Sequence, residues 1–231
     1  MTLQPNTFEY NLLFYLTIIL IIVKVLLSTY LGIKVLKKRK QEQEIEFLFA
    51  FFILLLSGVI SRIIYFYFDF FLTQNNPDNY VENVIYWKIA SAIGICGSAV
   101  VMFAVDRKVL KFKLKGIFSY ILIATAVIVL IYPVNTVADF NTVANIIVLS
   151  FLAIILLPAV FFYVGVKIHP SPRALSAFAI AIGIIVYMIG TIMVNETFFG
   201  FIDTAIRFLL FVILKIAGLA MMSYGVTKLY E

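Results

Sequence analysis

The sequence is poor in the groups that do chemistry. It has one cysteine, Cys96, and one histidine, His169, in 231 residues. One cysteine makes no internal disulfide and no thiolate metal site, and Cys96 reads as a small packing residue within Gly94-Ile95-Cys96-Gly97. A zinc hydrolase needs several facing His or carboxylate ligands. A serine hydrolase needs a serine and a histidine at one depth. Neither set can be assembled, so no catalytic residue and no metal ligand is assigned and an enzyme is not expected. Charge is scarce too: Asp, Glu, Lys and Arg are 13% of the chain, where a soluble domain has about a quarter.

What is abundant is apolar. Hydrophobic types make up 64% and mean hydropathy is +1.09. A bilayer-spanning helix takes about 20 apolar residues. Seven such runs can be drawn, at about 10–36, 45–72, 84–105, 116–132, 143–166, 174–194 and 204–224. The first follows no basic leader segment and is too long for one, so it reads as a retained helix. The expected fold is an all-α membrane protein, one seven-helix transmembrane domain over residues 1–231. Ala90-Gly94-Ser98 and Ala179-Gly183 offer small-residue ridges for helix contact. Pro158 is expected to kink the fifth helix.

The net charge of +6 is unevenly placed. The segments after runs one, three and five hold Lys37, Lys38, Arg39, Lys40, Arg107, Lys108, Lys111, Lys113, Lys115, Lys167 and Arg173. Lys34 and Lys228 fall on the same side. The opposite segments carry Glu9, Asp78, Glu82, Asp139 and Glu196. Basic loops stay in the cytoplasm, so the N-terminus is expected outside, the C-terminus inside, and the location is a cell membrane. The basic surface then faces anionic headgroups; nucleic acid is not implied. Tyr65, Tyr67, Phe68, Phe70, Phe71, Tyr80, Tyr86, Trp87, Phe198, Phe199 and Phe201 gather near the outer boundary, as an interfacial belt would.

Five cations remain within the runs: Lys24, Arg62, Lys88, Arg207 and Lys215. An intramembrane charge is costly and needs a partner, water or a function. Asp203 with Arg207, and Asp69 with Arg62, are local ion-pair candidates at i,i+4 and i,i+7 spacing. Lys88 is placed to snorkel to the interface. Lys24 and Lys215 stand mid-run in helices one and seven, which a sequential ring makes neighbours. Gly58, Arg62, Tyr65 and Asp69 share one stripe of helix two; Tyr187, Thr191 and Asn195 share one of helix six. Together Lys24, Arg62, Tyr65, Lys88, Tyr187, Thr191, Asn195, Arg207 and Lys215 are the candidate ligand-binding residues. Such a positive interior suits an anion, or a lysine whose pKa is lowered into nucleophilic range.

Seven runs with an outside N-terminus resemble the microbial rhodopsins, and Lys215 stands mid-helix seven, where that family carries its retinal lysine. The resemblance implies retinal as a cofactor on Lys215. Phe211 stands where that family has an acid. Asp106-Arg107-Lys108 resembles the Asp-Arg-Tyr motif of G-protein-coupled receptors. The whole-chain pattern, with its basic segment 106–115, resembles the seven-helix membrane modules of prokaryotic sensors, such as those preceding histidine kinases. That resemblance implies a receptor- or sensor-like protein, and the positive interior suggests that it binds a small anionic or lipid-derived ligand in an outward-facing cavity. With few residues after run seven, it would act through a cytoplasmic or membrane partner, alone or as an oligomer. The alternatives are an anion transporter or channel, a retinal protein, and a structural subunit of a membrane assembly. The charge distribution predicts that a fluorescent protein fused after Glu231 folds and glows in the cytoplasm. Alkaline phosphatase fused at 74–79 is then active, and the reverse pattern would invert the topology.

Overall fold

The computed structural model describes residues 4–41, 45–193 and 199–229, with the side chains of 149–152 excepted. Among the described residues there is helix and no strand. Among the described residues seven α-helices of 15 residues or more follow in order: α1 (Phe8–Lys40), α2 (Glu46–Tyr67), α3 (Val84–Lys108), α4 (Ile117–Ile131), α5 (Val137–Lys167), α6 (Pro172–Ile192) and α7 (Thr204–Leu229). Six are long and apolar enough to cross a bilayer, α2 being lengthened to Leu72 by a wide turn. The chain is a multi-pass membrane protein by that measure.

Burial supports the same conclusion. On α1 the outward side chains are Tyr15, Ile19, Ile22, Leu26, Ile33 and Leu36, while Thr17, Lys24 and Ser28 are buried. Apolar groups outside and polar groups inside is the arrangement lipid favours, because lipid offers no hydrogen bonds.

Local chemistry moves several helix ends. α4 has 15 residues, about 22 Å at 1.5 Å each, against a hydrocarbon core of about 30 Å. It begins after Gly116 at φ +75° and stops at Tyr132, which turns extended before Pro133. The seventeen-residue run expected there is thus shorter, and among the seven helices described it is the one below spanning length. α5 starts six residues before its apolar run. The Thr136 hydroxyl accepts from the Asp139 amide, and Asp139 Oδ2 accepts from the Thr136 and Asn135 amides. This reciprocal capping box carries a helix into polar sequence that hydropathy assigns to a loop. α5 then continues through Pro158 to Lys167. α3 extends to Lys108 and α7 to Leu229.

The chain forms two compact units: Met1–Pro5 with Phe49–Ile155, and Asn6–Leu48 with Leu156–Glu231. In the first, α3 meets α2 through glycine. A Cβ on Gly97 would collide with the Ser57 side chain, and one on Gly94 would stand 3.3 Å from Ser61 Oγ. α4 packs on α3, and Ser119 Oγ donates to the Ala99 carbonyl at 2.9 Å. Cys96 is exposed. It sits on the face of α3 away from these contacts, which corrects its reading as a packing residue.

In the second unit α6 and α7 make the most extensive contact, and α1 packs on α7. The α6 stripe is Ser176, Ile180, Gly183, Tyr187 and Gly190; the α7 stripe is Leu214, Lys215, Gly218, Met222 and Gly225. A Cβ on Gly183 would lie 2.8 Å from the Gly218 carbonyl oxygen, and one on Gly218 would lie 2.6 Å from that of Gly183. A Cβ on Gly225 would lie 2.6 Å from the Ser176 carbonyl oxygen, and one on Gly190 3.1 Å from the Lys215 amide nitrogen. Rising numbers on α6 meet falling numbers on α7, so the pair is antiparallel. The ridge expected at Ala179-Gly183 is the Gly183 part of a longer seam. Gly218→Ala is predicted to destabilise the protein by about 1–3 kcal/mol through overpacking. Gly94→Ala, facing a rotatable hydroxyl, should stay nearly neutral, its helix propensity offsetting the contact. Thermal unfolding in detergent compares them; equal losses would remove backbone contact as the cause.

Candidate functional site

The first unit holds Arg62, Tyr65 and Lys88. α2 ends in a wide turn over Phe68–Leu72, where the Thr73 amide bonds back five residues to the Phe68 carbonyl at 2.9 Å. The turn is kept by the fully buried Thr73, whose hydroxyl donates to the same carbonyl at 2.9 Å. It carries Asp69 to 3.9 Å from Arg62 Nη1. The i,i+7 pair inferred from spacing therefore forms, half-buried.

Tyr65 makes a bond that spacing does not show. Its hydroxyl meets Ser91 Oγ on α3, and Ser91 Oγ donates to the Trp87 carbonyl at 2.8 Å. With the serine proton so used, Tyr65 is the donor. Lys88 is only 7% exposed, and its ammonium donates to the backbone carbonyl of Tyr132 at the end of α4. It is a buried cation on a helix C-terminus, in place of the snorkelling anchor expected.

Phe68 and Phe70 are buried, which takes them out of the expected interfacial belt. Phe68, Tyr80, Phe140 and Trp87 form a chain of ring contacts with centroids 4.6–5.4 Å apart. Burial, then the charge of Asp69, pushes the Tyr80 hydroxyl up to about 12. Tyr67, Phe71, Tyr86 and Phe201 stay at the surface. Phe198 lies outside the described residues.

The second unit holds Lys24, Tyr187, Thr191, Arg207 and Lys215. Lys24 is 6% exposed, Arg207 3% and Lys215 9%, so all three charges are enclosed by protein. The Lys215 ammonium stands 4.2 Å from the centroid of Phe211, one turn earlier, and 5.4 Å from that of Tyr187 on α6. Ring faces attract a cation, most strongly where water is excluded. Phe211 was missed as a site residue. Its signal was the aromatic at i−4 from a lysine, where α7 side chains meet.

Thr191 bonds its hydroxyl to the Tyr187 carbonyl at 3.0 Å, within its own helix. Arg207 donates from Nη2 to Thr204 Oγ1 at 2.9 Å. Asp203 caps α7, accepting from the Ala205 and Ile206 amides. Lys24 belongs to the buried stripe Thr17, Leu20, Lys24, Ser28, Leu31, Val35 of α1, the helix that packs on α7. Helices one and seven are neighbours, as a sequential ring implies. Asn195 lies outside the described residues.

The segment after α3 is also built differently from expectation. Asp106, read as part of a receptor-like motif, is buried, and its carboxylate accepts from the Leu114 amide at 3.0 Å and the Gly116 amide at 2.6 Å. It is the organising centre of the α3–α4 loop.

Compared with protein-family models, curated proteins and solved structures, the chain matches none.

Lys88→Met is predicted to cost about 1–3 kcal/mol, the penalty for leaving a carbonyl at a helix end without its charged donor. Unfolding of the purified variant measures this. An unchanged transition would return Lys88 to the role of interface anchor.

Proposed function

We propose that this is a seven-helix receptor- or sensor-like protein of a prokaryotic cell membrane, N-terminus outside and C-terminus in the cytoplasm. It binds a small anionic or lipid-derived ligand in an outward-facing cavity and acts through a partner; it is not an enzyme. The observation that carries this is the pair of enclosed ammonium groups on α1 and α7, two helices in contact. α6 and α7 contain no Asp or Glu, and α1 only Glu9 in its first turn. The middle of these helices therefore contributes positive charge alone, which favours an anion. Lys24 and Lys215 supply the charge and Tyr187 the hydroxyl. Arg62 and Lys88, with an acid and a helix end as partners, have structural roles in this reading.

A second reading draws on the buried Lys215 amine between two rings: covalent attachment of retinal. The residues fit only in part, because no carboxylate comes from α6 or α7 to balance a charged adduct.

The test is thermal unfolding and native mass spectrometry with oleate, chloride and retinal, with absorbance recorded. Oleate or chloride is expected to stabilise the wild type and to lose that effect in Lys24→Met and Lys215→Met. A red-shifted band abolished in Lys215→Ala would establish the retinal reading. Chloride flux in proteoliposomes would make the protein a transporter. If the Met variants are simply more stable and no probe binds, the cations only fix helix packing and the reading fails.

A further inference from the structure

The loop between α3 and α4 and the last turn of α3 carry a dense cluster of cations. Arg107, Lys108, Lys111, Lys113 and Lys115 are all exposed within nine residues, and Phe112, also exposed, sits among them. The loop has a defined conformation. Lys111, Phe112 and Lys115 adopt φ of 53°, 60° and 49°, and Gly116 follows at 75°. Non-glycine residues stay in that region only where the surroundings determine it. Here the determinant is Asp106. Its side chain takes the Leu114 and Gly116 amides, and its carbonyl takes the Phe112 amide at 2.8 Å. One buried carboxylate thus draws in the backbone donors, and the cationic side chains are left facing out.

The loop's place identifies what it meets. Phe112 rests edge-on against Phe103 with centroids 6.1 Å apart, and Phe103 is exposed on α3, a helix of spanning length. Tyr120, one turn into α4, is exposed as well. The cations therefore stand at the end of a spanning helix, beside an aromatic pair that continues its lipid-facing surface. We propose that this loop is a binding site for the phosphate headgroup of an anionic phospholipid. Lys111, Lys113 and Lys115 engage the phosphate, and Phe112 with Phe103 lies along the first acyl carbons. Lipid satisfies both halves of the surface, whereas a soluble anion or an acidic protein would leave the aromatic pair unused. The site is independent of the ligand proposed for α1 and α7.

Asp106 allows a test in which geometry and bulk charge predict opposite signs. The full-length protein is released from nanodiscs of phosphatidylcholine mixed with phosphatidylglycerol, and retained lipid is read by native mass spectrometry. The wild type is expected to retain phosphatidylglycerol preferentially. Asp106→Asn raises the net charge, so diffuse attraction would strengthen retention; an Asp106-organised site is expected to weaken it by about threefold or more. Replacing Lys111, Lys113 and Lys115 by Gln should cost up to roughly fivefold per cation. Replacing Lys37, Arg39 and Lys40, the same number of charges at the end of α1, should cost distinctly less. The exposed triple variant decides the matter if Asp106→Asn does not fold. Equal losses from the two triple variants, undiminished retention in a folded Asp106→Asn, or no preference in the wild type would each overturn the site.

Discussion

Lipid gives a buried polar atom nothing to bond to, so each such atom in the spanning region has to be answered from within the protein. In the described structure the answer is often a helix end or a ring face rather than an opposite charge. α3 and α4 show the principle most fully. α4 is too short to span at full thickness, and α3 holds it at both ends. Asp106 takes the Gly116 amide just before α4 begins, and Lys88 donates to the Tyr132 carbonyl where it stops. An acid at the N-terminus and a base at the C-terminus match the sense of the helix dipole. Ser119 ties the middle to the Ala99 carbonyl. Lys88 and Asp106, the two buried charges of α3, each complete a terminus of α4.

The second unit meets the same constraint by bringing backbones together. On α6 the contact stripe 176, 180, 183, 187, 190 advances in steps of four and three. On α7 the stripe 215, 218, 222, 225 advances by threes and fours as well. Steps averaging 3.5 keep two helices in register along a seam. Between apolar helices in lipid there is no hydrophobic drive to associate, so close packing has to supply the attraction. Glycines at 183, 190, 218 and 225 make that approach possible. The seam also places Lys215. Gly190 admits its stem, and Tyr187 and Phe211 receive its ammonium. A charge at mid-span becomes tolerable because the packing that excludes water also sets two rings around it.

Helix positions were legible in the sequence because a bilayer imposes one length, and apolar runs of that length are conspicuous. The legibility stops where something other than hydropathy sets a boundary. The Thr136–Asp139 capping box extends α5 into polar residues, and Gly116 with Pro133 cuts α4 short. At the candidate site, Arg62 and Asp69 could be paired from spacing, since both lie on one face of one helix. Tyr65 with Ser91, and Lys88 with Tyr132, join residues 26 and 44 positions apart, which only the tertiary structure brings together. Asp106 was hidden for a different reason. An acid before basic residues at a helix end looks like a surface motif, and the loop it organises lacks the glycines that usually announce positive φ. Only Gly116 does so; Lys111, Phe112 and Lys115 do not.

The grip of α3 on α4 also bears on how often the chain crosses the membrane. Lys88 and Asp106 are eighteen residues apart on α3, about 27 Å along its axis. Because the Asp106 side chain meets the start of α4 and the Lys88 side chain its end, the 15 residues of α4 run back along most of that length. A short helix can cross where the bilayer thins locally, at a fraction of a kcal/mol per ångström.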